Sequence, residues 1–433
     1  MNDQNARYGP VLLAIGVSRL NMSVFLLSAF AGMMLNTFIS VVQPYILNVN
    51  LALPVAEQGR ISGEMVFYGE VVILLLSAAI GMFTDKLGRR GMYAAGFVIM
   101  AIGYSLYGFV DSVGSLAAVR VFLAIAVSII NVMIATVQAD YPKEESRGKL
   151  VGLTGVVIGL GAVLIGVGLA RLPFWFVGAG YDDLLAGRLT LFVMSAMSLL
   201  MAIVVWFGLS TQTHHDNAAS LTLKENFAIG ISAARNNLRV ALAYGCAFVS
   251  RGDLVVVGTF YVLWMNQAAV ETGMSPDEAS KVAGGFFGLV MASALLWAPV
   301  SGWLSDRLNR VSAMAVAMGL CAIGYTSMGL ITEPLGGWMY PAGVLLGIGQ
   351  MSAITASQTL IGQEAPPASR GTIVGVFSFF GAAGVMFITI VGGRLYDAID
   401  PSAPFVLIGV VNALLFVSAV LLRLKSGSVD KAK

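Results

Sequence analysis

Twelve runs of apolar residues, each long enough to cross a bilayer as a helix, fill most of this 433-residue chain. A crossing needs about 20 such residues. The runs fall at about 22–47, 64–84, 91–110, 114–139, 148–172 and 187–209, then at 238–264, 279–303, 311–332, 337–362, 371–395 and 402–422. The fold class that follows is an all-α integral membrane protein of twelve transmembrane helices. Composition agrees, because only 11% of the residues are charged and the mean hydropathy is +0.84. A soluble domain carries about 25% charged residues, so soluble, disordered and disulfide-rich secreted classes are excluded. The net charge of +2 gives no reason to expect a nucleic-acid partner. The lipid bilayer is the partner that the composition demands.

Lys and Arg set the orientation, since they concentrate on the cytoplasmic side of short loops. Placing the N-terminus in the cytoplasm gathers most of them there, among them Arg7, Arg19, Lys86, Arg89, Arg90, Lys143, Arg147, Lys149, Arg235, Arg239, Arg307, Arg310, Arg370 and Arg423. The acidic stretches 181–183 and 271–278 then fall outside. Both termini are expected in the cytoplasm and the membrane to be a bacterial-type inner membrane. Residues 2–20 are too polar at their start for a cleaved signal peptide, and 8–20 are expected at the interface. The polar stretch 210–237 divides six runs from six and carries a short predicted helix over 221–235. The expected domains are therefore an N-terminal six-helix bundle (1–209), a cytoplasmic linker (210–237) and a C-terminal six-helix bundle (238–433).

The halves repeat in sequence. Gly81-x3-Asp85-x3-Arg89 after run 2 recurs as Gly302-x3-Asp306-x3-Arg310 after run 8, offset by 221 positions. Arg147-Gly148 opens run 5 and Arg370-Gly371 opens run 11, offset by 223. Two separate elements at nearly one offset mark duplicated halves.

Several chemistries have no carrier here. Cys246 and Cys321 sit far apart in apolar runs, so neither a metal site nor a redox pair is expected. His214 and His215 are adjacent in the polar linker and read as a solvated loop. Nucleotide-binding, zinc-protease and hydrolase motifs are missing from the sequence. No enzyme and no cofactor is expected, and an ATP-driven pump is excluded.

The loop Gly81-Met82-Phe83-Thr84-Asp85-Lys86-Leu87-Gly88-Arg89-Arg90 is similar to the GxLADRxGRK loop of the major facilitator superfamily, and the whole chain resembles that family. The second copy differs in carrying Asn309 at the place of Gly88. The resemblance implies two six-helix bundles rocking around a cavity lined by helices 1, 4, 7 and 10. It also implies that, in a gating loop containing Gly81, Asp85, Gly88 and Arg89, Asp85 and its neighbours form a charge network with helix 11 that holds the outward-facing state. Arg147 and Arg370 find candidate partners in Asp140, Glu144, Glu145 and Glu364; the alternative is that these charges only mark cytoplasmic loops. Arg120 opens run 4 where the family often carries an arginine implicated in proton transfer, with Ala124 in place of a common glycine. Run 5 is glycine-rich (Gly152, Gly155, Gly159, Gly161, Gly166, Gly168), as in drug/proton antiporters, and lacks their proline.

Ionisable groups inside the runs are costly unless partnered or hydrated, and so are candidate functional groups. Run 7 holds Arg251-Gly252-Asp253, roughly 20–24 Å from the cytoplasmic edge by helical rise. Positions two apart face opposite ways on a regular helix, but Gly245, Gly252 and Gly258 allow a break. Two readings fit: a solute and proton site, or an ion pair locking two helices. Glu70 in run 2 is either a proton carrier or the partner of Arg120 or of a neighbouring helix. Neutral amides and hydroxyls complete the expected cavity lining: Asn36 and Gln43, Asn131 and Gln138, then Gln350, Thr355 and Gln358. Each serves equally well in a hydrogen bond between helices.

The expected function is a secondary active transporter moving a small organic solute by alternating access, coupled to protons. Arg120 and Arg251 lean toward an anionic or amphipathic substrate, and the protein is expected to act as a monomer. Two other functions fit less well: a drug/proton antiporter, and a receptor or scaffold that has lost transport.

Overall fold

The computed structural model describes residues 7–210, 223–365 and 369–430, except the side chains at positions 78, 81–83, 85–87, 223, 224, 226, 370, 371 and 426–430. Ten helices among the described residues are long and apolar enough to cross a membrane: α1 (Arg19–Asn50), α4 (Val113–Asp140), α5 (Glu144–Gly178), α6 (Asp183–Gly208), α7 (Leu238–Glu271), α8 (Pro276–Arg307), α9 (Arg310–Leu330), α10 (Met339–Glu364), α11 (Thr372–Ala398) and α12 (Ala403–Lys425). Between α1 and α4 lies one helical stretch of 53 residues, Val55–Tyr107. At about 80 Å of helix it is too long for one crossing. It breaks at Gly88, where φ is 77°, a backbone region that glycine enters without strain. The break makes α2 (55–87) and α3 (89–107), and the helix count reaches the twelve expected from the runs. The protein is a multi-pass membrane protein, and its only strands among the described residues form a short hairpin, Arg7–Tyr8 with Val11–Leu12.

Helix starts are set by small polar residues. Ser18 accepts from the N–H of Asn21 (3.1 Å), whose side chain accepts in return from Ser18 N (2.9 Å), a reciprocal cap on α1. Ser112 and Ser115 cap α4 in the same way. Asp182, Asn237 and Asn309 cap α6, α7 and α9. Each cap satisfies N–H groups that have no partner within the helix. The N-terminal hairpin is held by Lys143 N donating to Leu12 O (2.9 Å) and Ala14 N to Tyr141 O (2.8 Å). The linker helix is Leu223–Asn236, close to the expected one, with Phe227 against Phe379 of α11 at 5.2 Å between ring centres. Large apolar side chains lie outward along the helices, Phe207 at 79% and Leu296 at 78% exposed, as helices bathed in lipid require.

By contacts the chain forms two compact units. The first comprises Met1–Leu53, Tyr68–Asn217 and Gly273–Gly288; the second comprises Pro54–Phe67, Ala218–Thr272 and Leu289–Lys433. Each unit is mostly one half of the sequence. The exceptions are the start of α2, which belongs to the second unit, and the start of α8, which belongs to the first.

In the first unit the interior is built of aromatic side chains on α1 and α3, including Phe25, Phe38, Tyr93, Phe97 and Tyr104. In the second, α7 lies so close to α11 that a Cβ at Gly384 would overlap the carbonyl oxygen of Phe248. At Gly349 a Cβ would lie 2.9 Å from the backbone of Cys321, so α9 and α10 also touch nearly backbone to backbone. Such approaches strengthen packing where no hydrophobic force separates helix from lipid. The helix is not uniform along α1 and α7: each carries a π turn, Ile46–Asn50 and Val256–Tyr261. Such turns recur at functional sites.

Candidate functional site

Charged residues pair at several loop ends of the helices. Arg89, 8% exposed at the start of α3, meets Asp140 at the end of α4 at 3.0 Å. Arg147 pairs with Glu144 at 2.8 Å on an exposed turn. In the second unit Glu364, at the end of α10, accepts from Arg239 (3.2 Å) and Asn237 (2.9 Å) at the start of α7. Gly302 is partly exposed, and Asp306 and Arg310 are exposed. The side chains of Asp85 and Arg370, and position 81, lie outside the described residues, so the expected network between the first loop and α11 stays an expectation.

The interior polar groups divide by unit. In the first, Arg120 is 8% exposed and sits beside the hydroxyls of Tyr107 and Tyr104; no ion pair among the described residues includes it. Tyr104 donates to the carbonyl of Leu35 on α1. Gln43 is 1% exposed, and neither its amide oxygen nor its amide nitrogen has a hydrogen-bond partner among the described residues. Asn36, Asn131, Gln138 and Glu70 are half-buried.

In the second unit Asp253 is fully buried. Its Oδ2 lies 3.8 Å from Cys321 Sγ, which donates to it. The Asn412 amide of α12 rests against it, and Tyr325 of α9 donates to its backbone carbonyl (3.1 Å). Arg251, two residues earlier, is exposed on another face of α7 and packs against Gly381 of α11. The helix is regular from Leu238 to Val255, so the two side chains diverge as their spacing dictates. The break that Gly258 permits comes one turn later, as the π turn Val256–Tyr261. No ion pair among the described residues joins Arg251 to Asp253. Gln350 is 2% exposed, its Nε2 without a hydrogen-bond partner among the described residues; Thr355 donates to the Met351 carbonyl, and Gln358 is exposed.

A further set of contacts had no signal in the motifs. In the second unit the start of α2 lies against the end of α11. Asp397 accepts from the backbone N–H groups of Gly59 (2.9 Å) and Arg60 (2.6 Å). Gln267 of α7 donates to Gln58 (3.1 Å) and accepts from Tyr396 (2.6 Å). A Cβ at Gly63 would overlap the carbonyl oxygen of Thr389. In the first unit the start of α8 lies against the end of α5 in the same manner. A Cβ at Gly284 would overlap Ala170, a Cβ at Gly166 would overlap the backbone of Gly288, and Ser280 donates to the Ala170 carbonyl (3.2 Å). The 221–223 offset relates α2 to α8 and α5 to α11, so the same exchange of helix ends occurs twice. The glycines are visible in the sequence, but nothing there says which backbone each one meets.

Comparison with known proteins bears on the whole chain. The family model of the Major Facilitator Superfamily matches residues 24–389 and 338–433. The magnetosome protein MamH of Paramagnetospirillum magneticum strain AMB-1 is 27% identical over 414 residues, 94% of this chain and 92% of that protein. The magnetosome protein MamZ of the same strain is 23% identical over 89% of this chain, which spans only 60% of MamZ. Among solved structures, the nucleoside transporter NupG superimposes with a TM-score of 0.70 at 14% identity, covering 92% of this chain and 98% of that one. A bacterial homologue of the human lysosomal transporter Spinster gives 0.63 at 17% identity, covering 92% and 95%. With twelve spans, a duplicated loop and a family match along most of its length, the chain belongs to the Major Facilitator Superfamily of transporters.

Proposed function

We propose that this protein is a secondary active transporter that moves a small organic solute by alternating access and draws its energy from a proton gradient. The observation that carries the reading is the doubled exchange of helix ends, α2 with α11 and α8 with α5. Both contacts join the two halves of the repeat at helix ends, through glycine packing and a few polar bonds. Such contacts part at a cost of a few kcal/mol, the range in which a ligand can shift a two-state equilibrium. On this reading the first loop, through Asp85, closes the opposite ends in the alternate state. Arg120, with tyrosine hydroxyls for neighbours and no carboxylate partner among the described residues, favours a substrate with an anionic group. Asp253 is the proton site.

The protein acts as a monomer in the bilayer with both termini in the cytoplasm. Reporter fusions at Thr211 and at the C-terminus test the orientation, and activity of an extracytoplasmic reporter at either would refute it. The membrane is a bacterial inner membrane or, on the full-length similarity to MamH, the magnetosome's; fractionation separates these. Transport itself is tested in proteoliposomes with a pH-sensitive dye and a panel of small carboxylates, amphipathic cations and neutral solutes. Uptake with alkalinisation of the proton-rich side supports symport, and opposite fluxes support antiport. A protein that moves none of the panel in either direction would instead fit a receptor or scaffold.

A further inference from the structure

We infer that a groove between the start of α7 and the end of α12 is a binding site for one anionic glycerophospholipid, its acyl chain along the apolar wall and its phosphate at Lys425. The inference rests on the orientation proposed above only in assigning that lipid to the cytoplasmic leaflet. The groove encloses about 460 Å³, inside the range of about 300–1,000 Å³ typical of small-ligand sites. α7 lines it with Leu238 and Leu242, and α12 with Leu415, Leu421 and Leu422. Residues 415, 418, 422 and 425 fall on one face of α12. From Leu415 to Lys425 the helix rises about 15 Å, half of a hydrocarbon core of about 30 Å. The groove is therefore as deep as one leaflet. The two helices meet at its deep end, where a Cβ at Gly245 would lie 3.1 Å from the Leu415 side chain.

Charge selects the headgroup. Among the described residues, Ser418 and Lys425 are the only polar side chains in the lining, and no carboxylate is there. The Ser418 hydroxyl donates to the Leu414 carbonyl of its own helix (2.8 Å), so the wall stays apolar. Lys425 is exposed at the loop end of the groove, where its aliphatic stem can follow an acyl chain while the ammonium meets a phosphate. The first turn of α7 opens on the same groove, with Asn237 as its cap accepting from Arg239 N (2.9 Å). The positive end of that helix adds to the attraction for an anion. Arg239 itself turns to Glu364 (3.2 Å), which leaves Lys425 as the charge in the groove. The end of the chain is basic, with Arg423, Lys425, Lys431 and Lys433 against Asp430, a pattern that draws anionic lipid to the cytoplasmic end of a span. The same charges disfavour an amphipathic cation. The chain's own tail, positions 426–433, carries Val429 as its one large apolar side chain, too little to cover an apolar wall of this length.

The test is native mass spectrometry of the full chain in detergent, titrated with phosphatidylglycerol and, separately, with phosphatidylcholine of the same acyl chains. A phosphatidylglycerol with a diazirine in its acyl chain is then photo-cross-linked and mapped by peptide sequencing. The expected result is a single phosphatidylglycerol bound about fivefold or more tightly than phosphatidylcholine, with cross-links confined to 238–242 and 415–422. Lys425→Gln should remove that preference. Ser418→Phe, which fills the groove from an exposed position, should weaken both lipids by about fivefold or more, and Arg423→Gln, outside the lining, should change affinity by less than about twofold. Equal affinity for the two lipids, equal losses from Arg423→Gln and Lys425→Gln, or cross-links mapping elsewhere overturn the site. Binding that appears only after residues 426–433 are removed makes the tail the occupant, and a dimer lost in Ser418→Phe makes it a second copy; either result overturns the site as well. If Ser418→Phe fails to fold, Lys425→Gln and the cross-link map decide. Detergent has no leaflets and the assay moves no solute, so these outcomes stand apart from the tests of orientation and of transport.

Discussion

Replacing Asp397 by Asn perturbs the contact between α2 and α11 without changing the size of the side chain. Both carboxylate oxygens accept backbone N–H groups, at 2.9 and 2.6 Å. The amide keeps one acceptor and turns an NH2 toward the other N–H, donor against donor. A charge-assisted hydrogen bond contributes about 1.5–3 kcal/mol when buried, and an anion near a helix start adds about 0.3–1 kcal/mol. Asp397 is only half-buried and Arg60 is exposed, so the lower ends apply and the loss is about 2 kcal/mol. That moves the balance between packed and separated helix ends by about 30-fold. Spin labels at Ala56 and Ala398, both exposed, report the separation; the native Cys246 and Cys321 are buried and stay unlabelled. The expected result is a second, longer distance population in Asp397→Asn that is minor in the wild type. Superimposable distance distributions would refute the idea that this carboxylate holds the two ends together.

Gly63→Ala should act in the same direction through sterics, because its methyl group would meet the Thr389 carbonyl and lie 3.4 Å from Gly393 Cα. Overpacking costs about 1–3 kcal/mol, and the same label pair reads it as a larger separated fraction with the protein still folded. Gly384→Ala should instead destabilise the second unit itself, since the added methyl meets the Phe248 carbonyl at the α7–α11 seam; a markedly lower melting temperature and loss of monodisperse protein in detergent check this. Asp140→Asn should cost about 1–2 kcal/mol of stability by removing the charge from the 3.0 Å ion pair with the largely buried Arg89, with Asp140→Glu recovering part of it in thermal melts. Arg251→Ala, at an exposed position that pairs with no carboxylate among the described residues, should leave the melting temperature unchanged and weaken solute binding only if that face meets substrate; Arg251→Lys is the matched control.

By itself the sequence determined the class, the number of crossings and the duplication. Each of these rests on one-dimensional facts: run length against bilayer thickness, and motif spacing against motif spacing. It also predicted the divergence of Arg251 from Asp253, because residues two apart on a regular helix cannot share a face. The linker helix was legible from its polar flanks, and the Gly88 break was legible as part of a loop motif.

Partners were a different matter. Whether Asp253 meets an arginine or an asparagine depends on which residues of α9, α10 and α12 arrive at its depth, and helix rotation decides that. No spacing along the chain encodes it. Gly63 and Gly384 look alike in sequence, yet one lies where a helix end from the other half docks and the other lies within a seam of its own unit. The start of α2 packs with the second half and the start of α8 with the first, so the contact units do not follow the halves. Apolar runs report only their preference for lipid over water. The choice of neighbour among twelve nearly equivalent helices comes from close packing and polar satisfaction in three dimensions.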